Sequence, residues 1–149
     1  MITLKKSFAM LVAPLVLLTT LMTAAANAAQ PMIAASVSYT CALTSAGGVK
    51  CWGDRNYGQV GDNLKSSFPP LSAPVSVSGL ASGVTKIVAG GAHTCAAVTT
   101  GGVRCWGSNG EGALGNGSTS VTSYVPVAVS GLAENVIGPR CSRSDLNIR

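Results

Sequence analysis

Five cysteines and one histidine are the residues of this chain whose types could carry chemistry. Cys41 and Cys51 lie ten positions apart, and Cys95 and Cys105 repeat that spacing. A Gly-Gly sequence inside each interval indicates a tight turn. A hairpin with an odd-length turn places both sulfurs of a pair on one sheet face, with Cβ atoms about 4.5–5.5 Å apart. The spacing predicts two disulfides; four buried thiols and a zinc site are the alternatives.

Two other patterns resemble ligand-binding motifs but break their spacing rules. Asp54 starts a segment like a calcium loop, yet the twelfth position of such a loop would be Lys65 rather than an acid. The glycines between Gly107 and Gly117 do not follow G-x-G-x-x-G, and no G-K-[ST] sequence comes after them. Both segments are therefore interpreted as structural loops, and no cofactor, metal or phosphate site is predicted.

An internal repeat organises most of the chain. Residues 33–61 align with residues 87–115 at an offset of 54, with 13 identities in 29 positions. Residues 74–81 align with residues 126–133 at an offset of 52, with seven identities in eight. The first copy therefore holds two extra residues in its long loop. A third copy begins at Ser130 and stops matching soon afterwards.

Each copy is expected to form about four short strands. In the second copy these are residues 86–89, 93–99, 103–107 and 124–130, the last with valine at alternate positions, as in a strand with one buried face. Four strands in a unit of this length are typical of a β-propeller blade. The sequence therefore predicts an all-β fold of about two four-stranded antiparallel blades, over approximately residues 33–85 and 87–137.

Several residues recur, or are replaced, in a way that indicates a structural framework. Trp52-Gly53 returns as Trp106-Gly107, so both tryptophans are interpreted as core or inter-blade packing rather than as ligand-stacking residues. His93, which any Ser-His-Asp or Cys-His centre would require, corresponds to Tyr39 in the first copy. A position that accepts tyrosine predicts a structural role for His93, and no catalytic residue is assigned.

The first 28 residues have the pattern of a secretory signal peptide. Lys5 and Lys6 precede an apolar run over residues 8–22, and Ala26-Asn27-Ala28 fits a peptidase site; an uncleaved membrane anchor is the alternative. Residues 29–138 would then be the repeat region and residues 139–149 a tail outside the pattern. The excess of basic residues lies mainly in the leader and the tail, which argues against nucleic-acid binding. A secreted or periplasmic protein with no membrane span in its mature part is expected, with Cys141 left unpaired.

The repeats resemble those of the regulator of chromosome condensation family, in the secreted bacterial, alpha-tubulin-suppressor-like type. The match is carried by AGGAHTCAAVTTGGVRCWGSNGEGALGNG from Ala89 and by VSYTCALTSAGGVKCWGDRNYGQVGDN from Val37. The resemblance implies a seven-bladed propeller of four-stranded blades. Seven blades would need about 360 residues, so the chain is expected to be a truncated member with open strand edges prone to self-association.

The resemblance also implies a function in protein–protein recognition. The loops of residues 56–70 and 109–124 are the candidate contact segments, for a protein partner that the sequence does not identify. Inhibition of an extracellular enzyme is one version of this function. Guanine-nucleotide exchange, which the nuclear namesake of the family performs, is an alternative that the leader disfavours, because small GTPases are cytosolic. A hydrolase or lyase on the same scaffold would need clustered acids or histidines, which the repeats lack.

Overall fold

The computed structural model describes residues 29–65 and 69–132. The predicted leader over residues 1–28, Cys141 and the predicted tail over residues 139–149 lie outside the described residues. Within the described ranges every regular element is a strand. No helix in those ranges is long and apolar enough to cross a membrane.

Eight strands form two antiparallel sheets of four, each in the order of the chain. This arrangement confirms the predicted all-β fold with two four-stranded blades. Blade 1 contains β1 (Met32–Ala35), β2 (Tyr39–Leu43), β3 (Val49–Gly53) and β4 (Leu71–Ser76). Blade 2 contains β5 (Val84–Ala89), β6 (His93–Val98), β7 (Val103–Ser108) and β8 (Thr122–Ala128).

The last strand of blade 2 begins and ends two residues earlier than the valine alternation predicts. Its first residues, Thr122 and Ser123, pair with Ser108 and Gly107 at the end of β7. After Ala128 the backbone still reaches β7 once, since the N–H of Val129 donates to the carbonyl of Val103 at 2.9 Å. Pairing with β7 therefore extends the strand into the polar segment that the alternation excluded.

The outer edge of each blade carries a proline at an irregular point of the sheet. In β4, residues 72–74 lie opposite Trp52 alone, because Cys51 pairs with Val75 and Gly53 with Leu71. The equivalent irregularity in β8 contains Pro126. A proline has no N–H to donate and is tolerated at bulges and edges, where it also discourages pairing with another strand.

The two blades pack face to face, and residues from both form one core. We call the side of a blade that bears its cysteine pair the front face and the opposite side the back face. The front face of blade 1 contacts the back face of blade 2, with β1 and β2 lying against β5. The front face contributes Tyr39, Cys41, Leu43, Val49 and Cys51, and the back face contributes Val84, Ile87, Ala96 and Trp106.

A second, smaller cluster lies on the front face of blade 2. Cys95, Val103, Cys105 and Leu114 are its buried members. Partly buried valines from β5, from β8 and from the segment after β8 pack against them. This cluster corresponds by repeat position to the front face of blade 1, which blade 2 covers.

Candidate functional site

The interface between the blades is closed by a network of buried polar groups. The hydroxyl of Tyr39 donates to the carbonyl of His93. The hydroxyl of Thr94 lies 3.1 Å from the Tyr39 hydroxyl and 3.1 Å from the carbonyl of Gln59. Its single proton serves one of these acceptors at a time. Because Tyr39 and Gln59 belong to blade 1 and the other two to blade 2, the network fixes the lateral position of one blade on the other.

Trp106 is the largest side chain in this interface and is fully buried. Its indole N–H donates to the carbonyl of Gln59 at 2.9 Å. A buried indole N–H without an acceptor is unfavourable, so the loop of blade 1 that presents Gln59 completes the site for Trp106. Gly61 lies beside the indole, where an added Cβ would be 2.7 Å from Nε1. Because Gly61 has no side chain, this loop leaves space for the Trp106 indole of the neighbouring blade.

The predicted framework glycines, Gly53 and Gly107, adopt the same unusual backbone conformation, with φ of 105° in each case. A Cβ at Gly53 would lie 2.5 Å from the carbonyl oxygen of Ser38, and one at Gly107 would lie 2.5 Å from that of Ala92. Only glycine combines this φ with such a close approach. At each glycine the chain leaves the third strand of its blade, passes close to the start of the second strand and enters the long loop.

The four predicted cysteines lie in cross-strand pairs at disulfide distance. Cys41 faces Cys51 with sulfurs 2.07 Å apart, and Cys95 faces Cys105 with sulfurs 2.17 Å apart. Both pairs are buried on the front faces of their blades. The geometry agrees with the hairpin spacing and favours disulfides over separate thiols. Within residues 29–65 and 69–132, no group of three or more His, Cys, Asp and Glu side chains is placed to hold a metal ion.

His93 is half-buried against the backbone of its own blade. A Cβ added at Gly90 would lie 2.4 Å from its imidazole, so the ring packs directly on the Gly90 backbone. Burial lowers the pKa of His93 below its ordinary value, because desolvation disfavours the charged imidazolium. This packing agrees with the structural role expected for His93, which stays a prediction.

The long loops after β3 and β7 are held by different chemistry at equivalent positions. In blade 1, Arg55 pairs with Asp62 at 3.3 Å, and both side chains are about nine-tenths buried. In blade 2, Asn109 replaces Arg55, and its amide donates to the carbonyls of Ser118 and Ser120 at 3.1 and 2.7 Å. Its carbonyl oxygen accepts the N–H of Leu114. Each loop is therefore closed by one side chain near its start.

The two blades meet again at an open polar groove beside these loops. The N–H of Asn63 donates to the carbonyl of Tyr124 at 3.0 Å, which joins the loop of blade 1 to β8 of blade 2. We call this feature the loop groove; it is lined by Asn63, Lys65, Ser120, Thr122, Ser123, Tyr124 and Val125. All of its lining except Val125 comes from the two loops that the sequence singles out, residues 56–70 and 109–124.

Comparison with known proteins accounts for this architecture. A family profile described as "Regulator of chromosome condensation (RCC1) repeat" matches residues 46–97 and 100–143, more than half of the chain. A second profile of the same description matches residues 84–113. The chain belongs to the RCC1 repeat family.

Related RCC1 repeat proteins are much longer than this chain. RCC1 domain-containing protein RUG3, mitochondrial, of Arabidopsis thaliana is 36% identical over 101 residues, which is 66% of this chain and 22% of that protein. The human E3 ubiquitin-protein ligase HERC2 is 38% identical over 101 residues, or 67% of this chain and 2% of that protein. The chain thus spans less than a quarter of either relative.

Solved structures of RCC1 repeat proteins share the fold. Prp20p of Saccharomyces cerevisiae matches with a TM-score of 0.60 at 21% identity, over 70% of this chain and 26% of that one. Human WBSCR16 matches with a TM-score of 0.55 at 27% identity, over 66% of this chain and 24% of that one. The Prp20p structure was described together with its binding to Gsp1p and histones.

Some residues that join the blades or close their long loops carry no repeat signature. Gln59 acts through its main-chain carbonyl, which every residue type possesses, so no side-chain pattern marks it. Arg55 and Asn109 occupy equivalent positions but differ in type, so the identities between the copies do not mark them. Their signal is a polar residue near the start of each of two otherwise matching loops. Trp52, in contrast to Trp106, is only half-buried.

Proposed function

We propose that this chain is an exported, non-enzymatic RCC1 propeller module that binds another protein through the loop groove. The observation that carries the proposal is the distribution of exposed apolar side chains. Of the large hydrophobic residues that are exposed in the described ranges, Tyr57, Leu64 and Val121 lie on the two loops beside the groove. Exposed apolar side chains next to a polar groove are typical of a protein-binding surface.

The groove has the composition of a peptide contact rather than of a catalytic centre. Hydroxyl and amide side chains line most of it, and Lys65 is its one charged lining residue. Such groups provide hydrogen bonds to a partner's backbone and one cation for an acidic side chain. The described lining contains no carboxylate and no histidine, which are the commonest general acids and bases. A partner segment with an acidic residue and an apolar residue fits this surface.

Export is proposed from two independent features. One is the leader pattern of residues 1–28 with its Ala26-Asn27-Ala28 sequence. The other is the placement of both cysteine pairs at disulfide distance, a state that persists in oxidising compartments. Mass spectrometry of the protein from the producing cell tests this proposal. A mature N-terminus at Ala29 with four oxidised cysteines is expected, and an intact leader on a reduced cytosolic protein contradicts export.

Site-specific photo-crosslinking tests the binding proposal. A photoreactive residue placed at Tyr57 or Val121 should capture the same extracytoplasmic protein, since both positions are exposed on the loops that contribute to the groove. The matched control is the same residue at Lys86, which is exposed on a strand of blade 2 away from the loops. The substitution Lys65→Glu should abolish capture at Tyr57. Equal capture from Lys86, or no effect of Lys65→Glu, argues against the loop groove as the binding site.

We further propose that the two blades form part of a larger propeller. The matched part of this chain covers only 24–26% of the solved chains, so those chains are about four times as long as the matched part. Reading the DNA downstream of the coding region tests whether the remaining repeats were once continuous with this chain. Further RCC1 repeats in another frame are expected for a truncated gene, and an unrelated neighbouring gene argues against truncation.

A further inference from the structure

We propose that the back face of blade 1 docks on the front face of blade 2 in a second copy of this chain. The docking repeats between molecules the apolar packing and the indole hydrogen bond that join the two blades within one molecule. The Tyr39 hydroxyl contacts are not repeated, because His93 stands at that position in blade 2. This inference does not depend on the protein-binding function of the loop groove. The sequence alone suggests self-association through open strand edges, whereas in the docking proposed here the sheet faces make the contact.

The back face of blade 1 presents the same side chains that are seated in the internal interface. Strand register places Ile33, Thr40, Ala42 and Trp52 on one face of blade 1. Their equivalents, Ile87, Thr94, Ala96 and Trp106, are identical in type and are all 0% exposed. Ile33, however, is 63% exposed, and Thr40, Ala42 and Trp52 are only half-buried. The set on blade 2 is thus covered by blade 1, whereas the identical set on blade 1 is uncovered in the described part of the chain.

The front face of blade 2 offers the complementary surface. Cys95, Val103, Cys105 and Leu114 form a cluster equivalent to the one that receives Trp106 in blade 1. Ala113 occupies the position of Gln59, whose carbonyl accepts the Trp106 indole, but Ala113 is exposed whereas Gln59 is 1% exposed. Because the acceptor is a main-chain carbonyl, alanine supplies it as well as glutamine. The indole N–H of Trp52 in another copy matches this carbonyl.

The space for an incoming indole is also preserved in blade 2. Gly115 corresponds to Gly61, which leaves room for Trp106, and Gly115 is exposed where Gly61 is buried. Both glycines have positive φ, 74° at Gly61 and 58° at Gly115. The two loops therefore leave the same side-chain-free position for an indole that packs on the front face. In the described part of the chain, nothing covers this position of blade 2.

Edge chemistry also favours docking by the faces. On the back face of blade 1, Lys50 matches Arg104 of blade 2, which stays exposed beside the internal interface. On the front face of blade 2, Lys86 takes the position of Met32, and its long side chain can keep the ammonium group in water. The outer edge strands, in contrast, each carry a proline at a bulge and are poor templates for strand pairing. The two docking faces differ from each other, so the contact is head to tail and joins copies into rings or linear chains.

Sedimentation of the full chain and of single variants tests the proposal. Wild-type protein should associate as its concentration rises, with a blue shift of Trp52 emission, since Trp106 is already buried. Ile33→Asp on the back face and Ala113→Arg on the front face should each weaken association at least about tenfold, because both substitutions lie at the proposed contact. Arg104→Asp, on the face of blade 2 opposite the proposed contact, is the control and should associate like wild type. Both contact residues are exposed, so circular dichroism should show unchanged folding.

Mixing the two contact variants separates head-to-tail docking from other association. Ile33→Asp retains a working front face, and Ala113→Arg retains a working back face. An equimolar mixture should therefore form dimers and nothing larger, while each variant alone stays monomeric. A wild-type chain that is monomeric at every concentration overturns the proposal and leaves the faces to further blades or to another segment. Association that is insensitive to Ile33→Asp, or a mixture that stays monomeric, also overturns it.

Discussion

The contact between Gly61 and Trp106 allows a sharp test of how the blades hold each other. An added Cβ at Gly61 would lie 2.7 Å from Nε1 and 2.8 Å from Cδ1 of the indole, and 3.0 Å from Cγ1 of Val77. At the equivalent Gly115, an added Cβ would meet only Cγ1 of Val129, also at 3.0 Å. The substitutions Gly61→Ala and Gly115→Ala therefore differ mainly in the clash with the tryptophan of the other blade.

The expected magnitudes follow from this difference. Both substitutions place alanine at a positive φ, which costs roughly 1–2 kcal/mol. At Gly61 the indole must also shift, and overpacking of this kind costs about 1–3 kcal/mol. If the shift breaks the hydrogen bond from Trp106 to Gln59, about 1 kcal/mol more is lost. Gly61→Ala should thus lower the free energy of unfolding by roughly 2–4 kcal/mol more than Gly115→Ala does.

Urea unfolding followed by far-ultraviolet circular dichroism measures this difference. The protein should be dilute enough to stay monomeric, so that association does not mask the comparison. Gly61→Ala should also change the fluorescence of the folded state, because Trp106 is displaced, whereas Gly115→Ala should not. Equal destabilisation by the two substitutions would refute the reasoning, since it would mean that the indole does not fill the space beside Gly61.

Three further predictions concern the tryptophans, the histidine and the cysteines. Trp106→Ala should lower the free energy of unfolding by about 3–5 kcal/mol and Trp52→Ala by less than half as much, measured by urea unfolding of the monomer. Because burial lowers the pKa of His93 below 6.5, the folded state favours the neutral ring; its contribution to stability is present above that pH and is lost as the pH falls through the lower folded-state value. His93→Tyr should flatten this dependence in melting scans between neutral and mildly acidic pH, and an unchanged slope would contradict it. Replacing Cys95 and Cys105 by alanine should destabilise by about 2–3 kcal/mol, the effect of a loop closed over ten residues; unaltered stability would indicate free thiols in the wild-type protein.

Local sequence signals were sufficient for the fold of each blade. The Gly-Gly turns between the members of each cysteine pair fix the hairpins, and in the structure Cys41 faces Cys51 and Cys95 faces Cys105 as the ten-residue spacing requires. The position of β8 was less predictable, because polar residues that pair with β7 join the strand without contributing to the valine alternation. Hydrophobic periodicity reports burial of side chains and misses pairing made by the backbone alone.

The differences between the copies could not be predicted from local sequence. Trp52 and Trp106 occur in the same Cys-Trp-Gly sequence, yet one is half-buried and the other has no exposed surface. What separates them is whether another blade lies against the back face, a property of the assembly rather than of the motif. The acceptor for Trp106 is likewise a main-chain group of another blade, presented by Gln59.

The way in which each long loop is closed decides which substitutions it can accept. In blade 1, Arg55 and Asp62 are both about nine-tenths buried, so replacing either side chain would leave the other as an unpaired buried charge. In blade 2, the uncharged amide of Asn109 holds the loop by hydrogen bonds to main-chain groups, which residues of any type possess. The blade 2 loop can therefore change its other side chains freely around one asparagine, whereas the blade 1 loop must keep two charged residues together.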